Sequence, residues 1–276
     1  MSTKNVIRAL LPAIACCALA SCAQQPAAPV TPAAPVANTG PDRSILWVRD
    51  SAEYTALALQ AYTSATKDLR GMIDDPLWSA LPEQTDAAGL APAIIFDVDE
   101  TLVTNVLFQA ELEPPFTNGK LDEWNASTTA VAVPGAARFV KYARAAGVEV
   151  FFVTNRPCEP GDDDPCPQKD VTIEDLNEAG IPADESNVMM ANERPEWTRE
   201  KKARRDLIAQ NFRVIMLIGD DLGDFIPCTR ARAVAPCTVG ATQESRKRDT
   251  EMYAAYWGNG WYVVPNPMHG SWTTAE

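Results

Sequence analysis

The chain has 276 residues, 46% of them hydrophobic, and carries 37 acidic against 24 basic side chains for a formal net charge of −13. That length and apolar content suffice for a sizeable core in one or two domains, and one catalytic domain is expected. So negative a balance argues against DNA or RNA polymers as partners, whose binding relies on Lys and Arg neutralising phosphates. An anionic substrate would have to be captured locally, by a metal and a few aimed donors.

At the amino terminus, Lys4 and Arg8 precede an apolar run of small residues and Leu that closes with Leu19-Ala20-Ser21-Cys22. The pattern predicts a secretory signal over residues 1–21 rather than a spanning helix. Its end resembles the lipobox of bacterial lipoproteins, in which cleavage precedes the cysteine, so Cys22 is expected to carry lipid. Residues 22–42 are rich in Pro and Ala, without charge periodicity, and predict a tether. Residues 43–276 are left as the folded domain. Removing Lys4 and Arg8 leaves 22 basic residues against 37 acidic ones. Ala23 after the lipidated cysteine favours, by analogy with other diderm lipoproteins, an outer-membrane lipoprotein on the periplasmic or cell-surface side.

Along the domain, the spacing of Trp47, Tyr54, Ala58, Ala61, Tyr62, Ala65 and Leu69 predicts one helix with a packing face. Three short runs rich in Val, Ile and Phe then predict buried strands: Ala93–Phe96 before Asp97, Val148–Val153 before Thr154, and Val214–Ile218 before Gly219. Asn187–Met190 and Trp261–Val264 are further strand candidates. Helices are expected at 136–146, closed by Gly147, and at 171–179, closed by Gly180. Strands alternating with helices predict an α/β fold, a mostly parallel sheet flanked by helices, with ligands at the carboxyl ends of the strands.

Those ends carry the chemistry. Asp97 and Asp99 leave the first strand one residue apart, and paired carboxylates can divide labour as nucleophile and proton donor. Asp220, Asp221 and Asp224 close the third. So many acids in one crevice require a cation, and oxygen ligands suit Mg²⁺. Thr154, with Asn155 and Arg156 behind it, offers a hydroxyl and backbone N–H groups to an anion. The basic run from Arg199 to Arg205 can supply a lysine to a phosphate oxygen. Outside the signal and Cys22, the four cysteines Cys158, Cys166, Cys228 and Cys237 predict disulfides in an extracytoplasmic protein. They allow three connectivities, of which short loop closure favours Cys158 with Cys166 and Cys228 with Cys237. Neither pair has the gap usual in a zinc site.

Asp97-Val-Asp-Glu-Thr101, Phe151-Phe-Val-Thr-Asn-Arg156, the lysine of Glu200-Lys-Lys-Ala-Arg-Arg205 and Gly219-Asp-Asp-Leu-Gly-Asp-Phe225 stand in the order of the four motifs of the haloacid dehalogenase superfamily. With the lipobox, the helix at 51–62, Trp124 ahead of Pro134-Gly-Ala136, and Val264-Pro-Asn-Pro-Met-His-Gly-Ser-Trp272, the chain resembles the class C bacterial acid phosphatases, lipoproteins similar to 5′-nucleotidases. The resemblance implies a Rossmannoid domain with a small helical cap-like insertion, and Mg²⁺-dependent hydrolysis of phosphomonoesters, nucleoside 5′-monophosphates foremost. Asp97 would form the aspartyl-phosphate and Asp99 would serve as acid and base. Mg²⁺ would be held by Asp97, the Asp99 carbonyl and Asp220, with Asp224 completing or supporting the site. Thr154 and Lys201, or Lys202, would hold the phosphoryl group, with Asn155 beside it. Trp124 and His269 would face each other across the leaving group. Asp221 and His269 stand where the family often has Asn and commonly Tyr, and Asp221 would add charge beside the metal. The alternatives are a phosphotransferase, a broad-specificity phosphatase without nucleotide preference, and a noncatalytic surface lipoprotein. The expected partners are a small phosphomonoester and the outer membrane, with oligomerisation left open.

Overall fold

The computed structural model describes residues 42–275; the signal, Cys22 and nearly all of the tether lie outside the described residues. Two helices come first, α1 (Arg43–Asp50) and α2 (Ala52–Asp74). The single helix expected from Trp47 to Leu69 is broken between them. Ser51 takes an extended backbone and its hydroxyl accepts the Tyr54 N–H at 3.1 Å, capping α2 and ending α1. Trp47 therefore meets Tyr54 edge-on, ring centroids 5.9 Å apart, across a junction rather than along one face. On α2 itself Tyr54, Ala58, Tyr62, Ala65, Leu69 and Met72 recur every three or four residues and are buried.

The remaining elements are β1 (Ala91–Phe96), β2 (Val103–Thr104), α3 (Val106–Glu111), α4 (Asn118–Ser127), β3 (Val131–Ala132), α5 (Ala136–Ala145), β4 (Glu149–Pro157), α6 (Pro167–Glu178), β5 (Val188–Ala191), α7 (Lys202–Ala209), β6 (Phe212–Gly219), α8 (Gln243–Met252) and β7 (Trp261–Val263). Five strands form one sheet in the order β5-β4-β1-β6-β7, every neighbouring pair parallel. β1 lies at its centre, so Asp97 leaves the middle of the molecule. β2 and β3 pair antiparallel outside that sheet and, with α3 and α4, make the small insertion expected after the first strand.

Alternate strand residues face opposite sides. Ile94, Phe96, Phe152 and Ile218 pack with α2, α5 and Leu176 of α6. Ile95, Val153 and Leu217 pack with Ile208 of α7, Trp197 and Trp261. Both faces are thus covered, as a parallel sheet requires. Two boundaries differ from expectation. β4 continues past Thr154 to Pro157, with its pairing to β5 broken between Val153 and Pro157. α6 begins at Pro167, which suits a first helical turn because it has no N–H to satisfy there. At the tight approach of α2 to the start of α5, Gly135 has φ +97°, and a Cβ there would lie 3.1 Å from that of Tyr62.

Candidate active site

Four strand ends and one distant segment converge on Asp97. Asp97 follows β1 and is buried, its N–H donating to the Ile218 carbonyl of β6 at 2.9 Å. Its Oδ1 pairs with Lys201 Nζ, and Thr101 Oγ1 lies 3.2 Å from its Oδ2. The loop carrying these residues is held from below, because Tyr62 Oη on α2 donates to the Thr101 carbonyl at 2.6 Å. Glu100 in the same loop has φ +58°. Its buried carboxylate accepts the Asn105 N–H at 2.9 Å and the Thr104 hydroxyl at 3.0 Å, so it turns inward and joins the loop to the insertion.

Asp97, Asp220 and Asp224 bring carboxylate oxygens within 4.8 Å of one another. Asp224 is the most constrained of the three. Its Oδ2 accepts the N–H groups of Asp220 (3.1 Å) and Asp221 (3.0 Å), and its Oδ1 meets Lys201 Nζ at 2.6 Å. Those bonds set the turn after β6, and a Cβ on Gly219 would collide with the Asp224 side chain. Asp224 therefore orients the site, while Asp97 and Asp220 keep oxygens to offer a ligand. Burial, with Asp224 and Asp99 near, pushes the Asp97 carboxyl up to about 7 despite Lys201. Burial and Asp97 together push Asp220 well above the carboxylate range. Three carboxylates facing one lysine, all oxygen donors, suit a hard divalent cation.

Asp99 points elsewhere. It accepts Arg156 Nη2 at 2.8 Å and Nε at 3.1 Å, and Asn105 Nδ2 at 2.8 Å. Arg156 also holds the buried Asp175 of α6 at 2.5 Å through Nη1. Burial alone would raise Asp99; the Arg156 guanidinium more than offsets that and holds it below the usual carboxylate range. Its side chain is no part of the three-carboxylate cluster, so any metal contact falls to the backbone.

Thr154 is buried in the irregular stretch of β4, its Oγ1 accepting the Arg156 N–H at 3.0 Å. Asn155 Oδ1 accepts Arg204 Nη2 at 3.1 Å, and Arg204 Nη1 bonds the Thr154 carbonyl, so this arginine of α7 braces the Thr154–Asn155 stretch. Of the two lysines left open, Lys201 enters the site, whereas Lys202 pairs with Asp206 at 2.8 Å on the surface. Asp221 is no member of the cluster, though its charge still helps to raise Asp220. Its oxygens accept the Ser271 N–H (2.6 Å) and Oγ (2.8 Å), anchoring the carboxyl-terminal segment. Burial raises it, but the hydrogen bonds from Gly223 and Ser271 prevail and keep it low.

Trp124 and His269 are placed in different surroundings. Trp124 on α4 packs on Phe108, centroids 5.9 Å apart, and lines a cavity of about 190 Å³ with Asn105, Val106 and Arg156. His269 does not line that cavity; its Nε2 lies 3.6 Å from Glu100 Oε1. Cys158 is bonded to Cys166, and Cys228 to Cys237. Sequence reasoning passed over Thr101, Asn105, Asp175, Arg204 and Asn266, whose Nδ2 donates to Asp220 Oδ2 at 2.7 Å. Thr101 and Asn105 stand beside the aspartate pair, and Asn266 lies in the same Val264–Trp272 segment as His269; nothing near Asp175 points to this site.

A buried aspartate at the end of a central parallel strand, with a lysine and two further carboxylates beside it, belongs with a fold of the haloacid dehalogenase kind. A model of the HAD superfamily, subfamily IIIB (acid phosphatase) matches residues 17–272, and the chain belongs to that family. Among solved structures it is similar to the class C acid phosphatase from Bacillus anthracis, at 24% identity and a TM-score of 0.65 over 84% of this chain and 86% of that one. It is likewise similar to that enzyme with tungstate bound, at 26% identity, the same TM-score and the same coverage. The protein is a phosphatase and acts on phosphomonoesters.

Proposed function

We propose that the chain hydrolyses phosphomonoesters through an aspartyl-phosphate on Asp97, with Mg²⁺ as cofactor and nucleoside 5′-monophosphates as preferred substrates. The observation that carries the reading is the buried contact of Lys201 with both Asp97 and Asp224 at the end of β1. Lys201 can transfer its charge to a phosphoryl oxygen while remaining beside the nucleophile. Mg²⁺ would be held by Asp97 and Asp220, with Asp224 supporting them and the Asp99 carbonyl joining. When bound it supplies charge neutralisation at the phosphoryl oxygens.

Asp97 attacks phosphorus, its oxygen forming the new P–O bond as the ester P–O bond breaks. The leaving oxygen takes a proton from Asp99; Asp99 then removes one from a water whose oxygen bonds phosphorus as the P–O bond to Asp97 breaks, releasing phosphate and the free Asp97 carboxylate. Thr154 and Asn155 orient the phosphoryl group. In the present arrangement Asp99 is an anion, because Arg156 holds it so, and acidic pH favours the protonated form that the first step uses. Trp124 provides a flat apolar wall for the leaving group in the cavity next to Arg156. Cys22 would hold the domain at the outer membrane. Asp97→Asn is expected to abolish turnover of p-nitrophenyl phosphate with the fold intact by circular dichroism, since an amide cannot form the acyl phosphate. Retained turnover in that variant would remove the mechanism.

A further inference from the structure

In a chain of net charge −13, four arginines crowd one region beside the site. Arg199, Arg230 and Arg232 line a cavity of about 410 Å³ whose floor includes Ser271. Like charges brought together repel unless something compensates them. Compensation within the protein is partial. Among the described residues Arg199 and Arg232 make no ion pair, whereas Arg230 meets Glu200 at 3.8 Å and lies near enough to Asp221 to help hold that carboxyl low. The repulsion is felt: partial desolvation and then Arg230 lower the pKa of Arg199, and Arg230 also lowers that of Arg246, behind desolvation and against Asp221.

The cluster is also built rather than scattered. Arg230 and Arg232 sit on the loop closed by Cys228 and Cys237, and the Cys228 N–H donates to buried Glu200 at 3.0 Å. The Thr198 hydroxyl donates to the Ala235 carbonyl at 2.7 Å, tying the loop to the segment that carries Arg199. Two routes lead from the cavity to the catalytic centre. Arg199 precedes Lys201 by two residues. Ser271, bonded to Arg246 Nη1 at 2.6 Å, holds both oxygens of Asp221, next to Asp220.

We propose that this cavity is a second oxyanion site, distinct from the Asp97 centre, that takes inorganic phosphate. Guanidinium groups present paired N–H donors that match tetrahedral oxyanions, and such charge-assisted bonds are among the stronger hydrogen bonds of proteins. The inference rests on phosphate being the product released here. A product held in this cavity would act on Lys201 and Asp220 from outside the substrate pocket, so inhibition by phosphate would have a component that substrate does not relieve.

Isothermal titration of the full-length, Mg²⁺-loaded protein with inorganic phosphate is expected to show two phosphates per chain. Arg199→Gln/Arg232→Gln, which disturbs no hydrogen bond found in the structure, is expected to bind one. In the same variant kcat for p-nitrophenyl phosphate should stay unchanged, while phosphate inhibition goes from mixed to purely competitive. A wild-type stoichiometry of one, or a double variant that keeps the second phosphate and mixed inhibition, overturns the proposal. A protein that binds two phosphates but turns over no ester would leave this site standing and remove the catalytic reading instead.

Discussion

Arg156 shows how much chemistry one side chain can govern. It is buried at the end of β4 between two carboxylates, Asp99 and Asp175, and its guanidinium spans both. In the proposed mechanism Asp99 needs a proton to protonate the leaving oxygen and needs to lose it to activate water, so the rate depends on where its pKa lies. Replacing Arg156 with Gln removes the main influence that holds Asp99 low, and its pKa rises with burial no longer opposed. Both limbs of the kcat profile governed by Asp99 should then move to higher pH. The measurement is kcat against pH for Arg156→Gln with a phenyl phosphate; a profile that only falls in height, without moving, would show that Arg156 packs and does not tune.

At the scale of elements, the insertion between β1 and α5 decides what kind of alcohol can leave. β2 and β3 form its base, α3 and α4 its walls, and Glu100 fastens it to the catalytic loop through Thr104 and Asn105. Trp124 stands on α4, its ring tilted 55° to that of Phe108, and lines the cavity. Stacking of a base on an aromatic ring is worth roughly 1 to 3 kcal/mol. Trp124→Ala should therefore raise KM for a nucleoside 5′-monophosphate roughly 5- to 100-fold, with little change for a small aliphatic phosphate. Equal changes for both substrates would remove the nucleotide preference. His269, expected opposite Trp124, has Glu100 as its carboxylate contact and helps to hold Asp99 low.

For the whole molecule, the acidic cluster sets a limit on stability that a cation can lift. Asp97 has a folded pKa near 7 against 3.8 unfolded. Between those values the folded state binds more protons than the unfolded one, so stability is greatest at the low end and falls as pH rises through 7. Metal-free protein should accordingly lose melting temperature between pH 5 and pH 8. Added Mg²⁺ should restore it by about 3 °C or more at pH 8, and less at pH 5. Scanning calorimetry with and without EDTA at both pH values is the check; a metal-independent melting temperature would mean that the cluster holds no cation. At the other end of the chain, Cys22→Ser should move the protein from the membrane to the soluble fraction, and a wild-type amino terminus free of acyl chains by mass spectrometry would refute the anchor.

Much of this was legible in the amino-acid order, for a physical reason. Buried parallel strands must be short, continuous and branched or aromatic, so the runs at 93–96, 148–153 and 214–218 announced themselves, and the polar residues at their ends followed as ligand-facing. The break at Ser51 was not legible in the spacing from Trp47 to Leu69, since apolar spacing alone does not register a change of axis. Local order also placed Asp97, Asp99 and the aspartates after Gly219, because they follow strand ends, whereas Thr154 lies inside β4, where its pairing to β5 breaks. It could not choose between Lys201 and Lys202, adjacent residues separated by about 100° of helical turn; only the packing of α7 sends one inward and leaves the other to Asp206. Nor could it turn Asp221 toward Ser271, pair Arg156 with Asp175, or gather Arg199, Arg230 and Arg232 around one cavity. Those arrangements join residues as far apart in the chain as Arg156 and Asp175, 19 positions, and Asp221 and Ser271, 50 positions. Their partners are set by how helices and loops lie on the sheet, which no local pattern encodes.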